Sequence, residues 1–140
     1  MRTATEVAHE WFEQVWNLGD GAFIDRLLAE RCIITGLTAQ AMTRTWQFHE
    51  FYTKFNIAFT AIHATIEQLI EQKNSIAGMV LIKAKHRRSG LDIAFKVSFF
   101  GKVEYGRFIE VVNMIDYMSM LEQLNLIEKD FLNEILYTKE

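Results

Sequence analysis

An α+β fold, with an antiparallel sheet covered on one face by helices, is what the sequence predicts, on three observations. The first part, to about Ala58, repeats apolar residues at helical spacing. From Ile62 onward apolar and polar residues alternate over long runs separated by short turns, the mark of consecutive hairpins. Proline is absent altogether, which favours long uninterrupted elements over linkers or a second domain. Hairpins of this length make an antiparallel sheet, and three preceding helices must then cover one of its faces. At 140 residues, half of them hydrophobic and 13% aromatic, the chain is long enough to bury a core and too apolar to be disordered.

Taken in order, Val7, Ala8, Trp11, Phe12, Val15 and Trp16 fall at three- and four-residue spacing and predict a helix over 5–18. Gly19 stops it and Asp20 supplies a cap for a short second helix carrying Phe23, Ile24, Leu27 and Leu28. Cys32 to Thr35 reads as a first strand ended by Gly36, and its lone cysteine as a small core residue, since no nearby base supports reactivity. A third helix is expected from about Thr43 to Ala58, with Phe48, Phe51, Tyr52, Phe55 and Phe59 as its buried stripe. Strands follow over 62–71, 76–87 and 91–102, turning at Lys73-Asn74 and Ser89-Gly90; the third places Ile93, Phe95, Val97 and Phe99 on one face. Glu104-Tyr105-Gly106 turns the chain into a last strand over 107–116, followed by a short helix. Ile127, Phe131, Ile135 and Leu136 predict a further amphipathic helix within 127–140, an extension of the domain formed by 1–126, which could plug a pocket mouth, extend a dimer contact or pack on its own domain.

The last strand is the centre of the reading. Strict alternation puts Phe108, Glu110, Val112, Met114 and Asp116 on one face and Ile109, Val111, Asn113 and Ile115 on the other. Both sets are largely apolar, so the strand is expected in the sheet interior, buried on both sides. A carboxylate at its end is then conspicuous.

Gly106-Arg107-Phe108-Ile109-Glu110, the later Asp116, and Leu121, Gln123, Leu124 and Leu126 resemble the closing segment of SnoaL-like polyketide cyclases, a branch of the nuclear-transport-factor-2-like superfamily. Val15-Trp16-Asn17-Leu18-Gly19-Asp20 resembles a second signature of that family, so the likeness runs from about Val7 to Leu126. It implies a half-open cone of curved sheet, a cystatin-like α+β barrel, with a pocket between sheet and helices. It also implies cofactor-free acid–base chemistry on a hydrophobic oxygenated substrate, such as isomerisation, aldol ring closure or hydration, and a homodimer through the sheet, for which Ile109, Val111, Ile115, Phe95 and Phe99 are the expected apolar patches. The non-catalytic alternative is a ligand-binding or protein-interaction module on the same scaffold.

Two roles are open to Asp116. By resemblance it is the general acid and base, which needs a carboxylate in an apolar pocket beside Val112 and Met114; by position it is a cap for the helix starting at Tyr117. His86, in Lys85-His86-Arg87, falls where the family has a Thr-His pair, and is either an anion-attracting rim or part of a solvated basic hairpin end. Other departures are Phe59-Thr60-Ala61 in place of a Pro-Asp step, a loop shortened to Arg88-Ser89-Gly90, Lys102 near an expected histidine, and Val112 in place of tryptophan. Trp16, Tyr52 and Asn56 are candidate pocket-lining residues. His9, His49 and His63 lack ligand spacing, so no metal site is expected. A net charge of −3 gives no reason to bind nucleic acid or anionic membrane, no apolar run approaches a bilayer span, and a cytoplasmic protein is expected.

Overall fold

The alternating runs pair as the sequence predicts, and in the computed structural model, which describes residues 2–129 and 131–137, they form one five-stranded sheet. Helix α1 (Ala4–Glu10) continues directly as a π-helix (Trp11–Asn17); a 3₁₀ turn (Gly21–Phe23) leads into α2 (Ile24–Leu27). Strand β1 (Leu28–Thr35), helix α3 (Thr45–Ala58), and strands β2 (Phe59–Gln72), β3 (Ser75–His86), β4 (Asp92–Glu104) and β5 (Arg107–Ile115) follow, then α4 (Tyr117–Gln123) and α5 (Phe131–Leu136). The strand order is β1-β5-β4-β3-β2. The β2–β3–β4–β5 meander is antiparallel, as the hairpins predict; β1 joins it parallel to β5 and so places β5 in the sheet interior, where it is expected.

The sheet curves because its strands are bulged. Register slips occur twice between β2 and β3, once between β4 and β5, and once between β1 and β5. Each extra residue bends its strand and raises the local twist, which wraps the sheet around the helices. The inner face of β4 is the predicted one: Ile93, Phe95, Val97 and Phe99 are buried against the helices.

The slip in β5 changes how the rest of that strand is read. Val103 pairs with Phe108, yet the next residue back, Lys102, pairs with Glu110, so Ile109 is the extra residue. Parity reverses there. Phe108 points inward, Glu110 points outward within ion-pair reach of Lys102 (3.8 Å), and Val111, Asn113 and Ile115 return to the inner face. Val112 and Met114 therefore lie on the outer face, 37% and 73% exposed, and the expectation of a strand buried on both sides is corrected. The same reversal, with the burial of β4, corrects the expected dimer patch: Phe95 and Phe99 are core, while Val111 and Ile115 face the interior. Phe108 fits because its ring lies against Gly101, which pairs with Val111 across the strands; a Cβ there would come within 2.8 Å of the Phe108 ring.

The slip in β1 is larger, since Leu28 pairs with Phe108 and Ile33 with Glu110. The carbonyls left over are not wasted: the buried Thr45 hydroxyl, at the start of α3, donates to Ala29 O (2.7 Å) and Glu30 O (3.3 Å). Beyond β1 the chain folds back on itself through Ile34 and Met42, bringing Leu37 over the inner face. At the other end, α5 is shorter than the helix expected over 127–140, and Leu132, Ile135 and Leu136 on it are exposed; Asp130 and residues 138–140 lie outside the described residues.

Cys32 sits fully buried in the irregular part of β1. Burial, with a smaller contribution from the Glu110 carboxylate, pushes its thiol from an ordinary 9.0 up to about 12. The folded-state value lies above the unfolded one, so the stability of the neutral thiol is fully present below about pH 9 and is lost as pH rises toward 12, at up to about 1.4 kcal/mol per pH unit. Urea denaturation between about pH 8 and pH 11 should therefore show wild-type stability falling more steeply than that of Cys32→Ala. Parallel pH profiles for the two proteins would contradict the burial of an ionisable thiol.

Candidate functional site

Between the concave face of the sheet and the helices lies a cavity of about 80 Å³. The π-helix contributes Trp11, Phe12 and Trp16, and α3 contributes Phe48, Phe51 and Phe55. From the sheet come Phe95, Val97, Phe99, Phe108, Val111 and Ile115, with Leu37, Tyr117 and Met120 at its margin.

The π-helix explains why two tryptophans reach the same space. Residues five apart lie about 140° apart around an α-helix, so Trp11 and Trp16 would face different directions. In a π-helix the backbone bonds from i to i+5, as Leu18 N–H does to Glu13 O (2.8 Å), and residues five apart come to share one face. Both indoles consequently meet Phe48, at centroid distances of 5.0 and 6.3 Å. Trp16 also packs edge-on to Tyr52 (5.2 Å) and Phe55 (5.5 Å). Periodicity alone reads this stretch as continuous α-helix, and no residue in it announces the wider turn.

Two residues of the family-like signatures act as clamps. The Asn17 side chain accepts from Ala64 N–H (2.6 Å) and donates to Ala64 O (3.0 Å), completing the outer edge of β2 as a neighbouring strand would. The Gln123 side chain does the same for β4 past the end of β5, accepting from Ala94 N–H (2.8 Å) and donating to Ala94 O (2.7 Å). Together they fasten the π-helix and α4 to the sheet, and the cavity between them keeps its shape.

Of the pocket residues expected from the sequence, Trp16 alone lines the cavity. Tyr52 lies behind it, its hydroxyl donating to Val15 O (2.7 Å), and burial pushes its phenol upward. Asn56 is bonded within its own helix to Tyr52 O (2.9 Å), and Val112 and Met114 are on the outer face for the reason given above. His86 is at the β3–β4 hairpin end, hydrogen-bonded to the Ser89 hydroxyl (2.8 Å) and packed on Phe59, and does not line the cavity. Asp116 is exposed; its carboxylate accepts from Ser119 N–H (3.0 Å) and caps α4. It nevertheless stands between two cavity residues, Ile115 and Tyr117.

Among the lining residues that the sequence reading did not nominate are Trp11, Asn113 and Tyr117. Trp11 stood in the expected helical stripe, but nothing separated it from ordinary core. Asn113 is the lining carboxamide, and Tyr117 donates its hydroxyl to Leu37 O, holding the loop after β1 against α4. Burial also pushes the Tyr117 phenol upward.

A curved sheet wrapped around helices, with an apolar cavity enclosed between the layers, defines the class as a cone-shaped α+β fold of the nuclear-transport-factor-2-like kind. A family profile for SnoaL-like polyketide cyclases matches residues 6–124, and the chain belongs to that family. Among solved structures it is similar to IdmH of Streptomyces antibioticus, a proposed polyketide cyclase, at 17% identity and a TM-score of 0.79 over 89% of this chain and 99% of that one. It is also similar to a proposed SnoaL-like polyketide cyclase from Jannaschia sp. CCS1, with 13% identity, a TM-score of 0.79 and coverage of 89% and 92%. An M. tuberculosis LEH-like epoxide hydrolase superposes with 12% identity, a TM-score of 0.73 and coverage of 88% and 90%. At these identities the likeness is one of fold. No curated protein matches by sequence.

As a cap, Asp116 is replaceable by asparagine and not by alanine. Asp116→Ala should cost about 1 kcal/mol of stability, and Asp116→Asn much less, in urea denaturation at neutral pH. A stabilising Asp116→Asn would mean instead that the carboxylate is strained for chemistry.

Proposed function

We propose that the protein binds a hydrophobic, partly oxygenated small molecule in the cavity between helices and sheet, and that holding this ligand is its principal activity. The observation that carries the reading is the composition of the wall. Aromatic and aliphatic side chains supply nearly all of it, a carboxamide, a phenol and two indoles carry hydrogen-bonding groups, and no carboxylate, imidazole or amine is among the lining residues. Such a wall favours transfer of apolar surface from water and a small number of directional contacts. Proton abstraction next to a carbonyl needs a base in reach and a donor for the oxyanion, and the lining residues supply no carboxylate or imidazole base.

A second reading keeps acid–base catalysis of an isomerase or cyclase kind, with Asp116 as the base and His86 as an anion-attracting group. Its support is the family, and the position of Asp116 between Ile115 and Tyr117 at the cavity margin. It requires the carboxylate to leave Ser119 N–H and turn inward, forfeiting the cap.

Both readings are compatible with a homodimer. The outer face of the sheet carries an apolar cross-strand row, Ala77–Phe100–Val112, and beside it Met79 and Met114 flanking Ser98, which a second copy would cover. Among the described residues no helix is long and apolar enough to cross a membrane, and we place the protein in the cytoplasm, where its buried free Cys32 would stay reduced.

Blocking the cavity tests the principal reading. Cyclooctane, an apolar probe, should raise the melting temperature of the wild type, and Val111→Phe, which fills the space, should abolish that shift while keeping the far-ultraviolet circular dichroism. An equal shift in both proteins would place the ligand elsewhere.

A further inference from the structure

Three side-chain amides lie at the boundary between the helices and the sheet, and two of them are fully engaged. Asn17 and Gln123 each use both ends of the carboxamide on one backbone amide, Ala64 and Ala94 respectively. Asn113 differs. Its Nδ2 donates to Thr35 O (3.1 Å), and no other hydrogen bond to its side chain is formed among the described residues. Because Thr35 O can only accept, this contact fixes which end of the amide is nitrogen. The oxygen, with its lone pairs, and the second N–H remain available.

The surroundings give that vacancy meaning. Asn113 is half-buried on the inner face of β5, between Val111 and Ile115 and directly opposite Phe99, with all three apolar neighbours lining the cavity. Its position is rigid: Gly36, at φ +87°, brings the end of β1 so close to β5 that a Cβ there would meet Asn113 O at 1.8 Å. The carboxamide is therefore held in place by one contact to the backbone and brings an unpaired acceptor and a second N–H to a space whose wall is mostly apolar. A group that can donate and accept at a single atom matches both.

We infer that Asn113 is the specificity-determining anchor of the cavity and that it selects ligands bearing a neutral hydroxyl, a hydrophobic alcohol or phenol, over the corresponding ketone, ether or hydrocarbon. The hydroxyl donates its proton to Asn113 Oδ1 and accepts from the free Nδ2–H. A ketone can satisfy the N–H but leaves the oxygen unpaired, and an unpaired polar group shut away from water is unfavourable. The inference rests on the ligand-binding reading above and refines it to a class of ligand.

Three probes of one shape separate the possibilities: cyclooctanol, which donates and accepts; cyclooctanone, which only accepts; and cyclooctane, which does neither. Their affinities are read from the tryptophan emission, since Trp11 and Trp16 line the cavity and none of the probes emits. For the wild type, cyclooctanol should bind about ten-fold or more tightly than cyclooctanone, a ratio that one unpaired buried group produces. Asn113→Leu should bring the two within about two-fold while cyclooctane binding is kept or improved. If Asn113→Leu fails to fold, Asn113→Val, a smaller strand-forming side chain without hydrogen-bonding groups, should likewise remove the preference, and the wild-type ratio stands as a test on its own. Equal binding of cyclooctanol and cyclooctanone to the wild type, with cyclooctane bound, overturns the role of Asn113 alone. A preference unchanged in Asn113→Leu overturns it as well. Failure of all three probes to bind the wild type overturns the ligand-binding reading, and the anchor with it.

Discussion

The cavity exists because β5 carries one residue too many. Phe108 must enter the core with its ring against Gly101, where it meets Trp11 edge-on at 6.2 Å, and Glu110 must leave it to remain hydrated near Lys102. Strict alternation cannot satisfy both, because residues two apart share a face. Inserting Ile109 reverses the parity, so that each side chain finds the medium it requires. Everything beyond inherits that choice: Val111, Asn113 and Ile115 turn to the cavity, and Val112, Met114 and Asp116 turn away from it. The electrostatic need to keep Glu110 out of an apolar core thus settles which residues can touch a ligand.

Much of the fold was legible. The alternation of β4 gave its buried face correctly, from Ile93 to Phe99, because that strand pairs in unbroken register with β3. The hairpin turns and the third helix followed from breakers and apolar spacing. The candidate site was less legible, and each miss has a physical cause. Val112 and Met114 were placed on the wrong face because both faces of β5 are apolar, so hydrophobicity could not report the slip. The carbonyl partners of Asn17, Gln123 and Asn113 lie 47, 29 and 78 residues away, far outside any local pattern. The π-helix brings two indoles onto Phe48, and that contact is again a long-range fact.

The family-like signatures acquire a structural meaning through these contacts. Asn17 and Gln123 stand in for missing strands at two unpaired edges, a service that a carboxamide performs well because it reproduces the donor and acceptor of a peptide group. Asp116 caps α4, so the residue that the resemblance makes chemical is occupied here in supporting a helix. What the wall offers a ligand is a large aromatic surface and the carboxamide of Asn113, and that division of labour supports a protein specialised for holding a molecule. Family membership and this reading are compatible, since one scaffold can host binding and catalysis alike.

The central claim is that an apolar molecule enters the space between Trp11, Trp16 and the sheet. The most direct measurement is the nuclear magnetic resonance spectrum of the three indole N–H groups during titration with cyclooctane. Trp11 and Trp16 line the cavity, whereas Trp46 is 61% exposed and serves as an internal control. The account predicts that the Trp11 and Trp16 resonances shift together and saturate while Trp46 stays in place. Shifts that never saturate and move all three indoles alike, or no shift at Trp11 and Trp16, would contradict it.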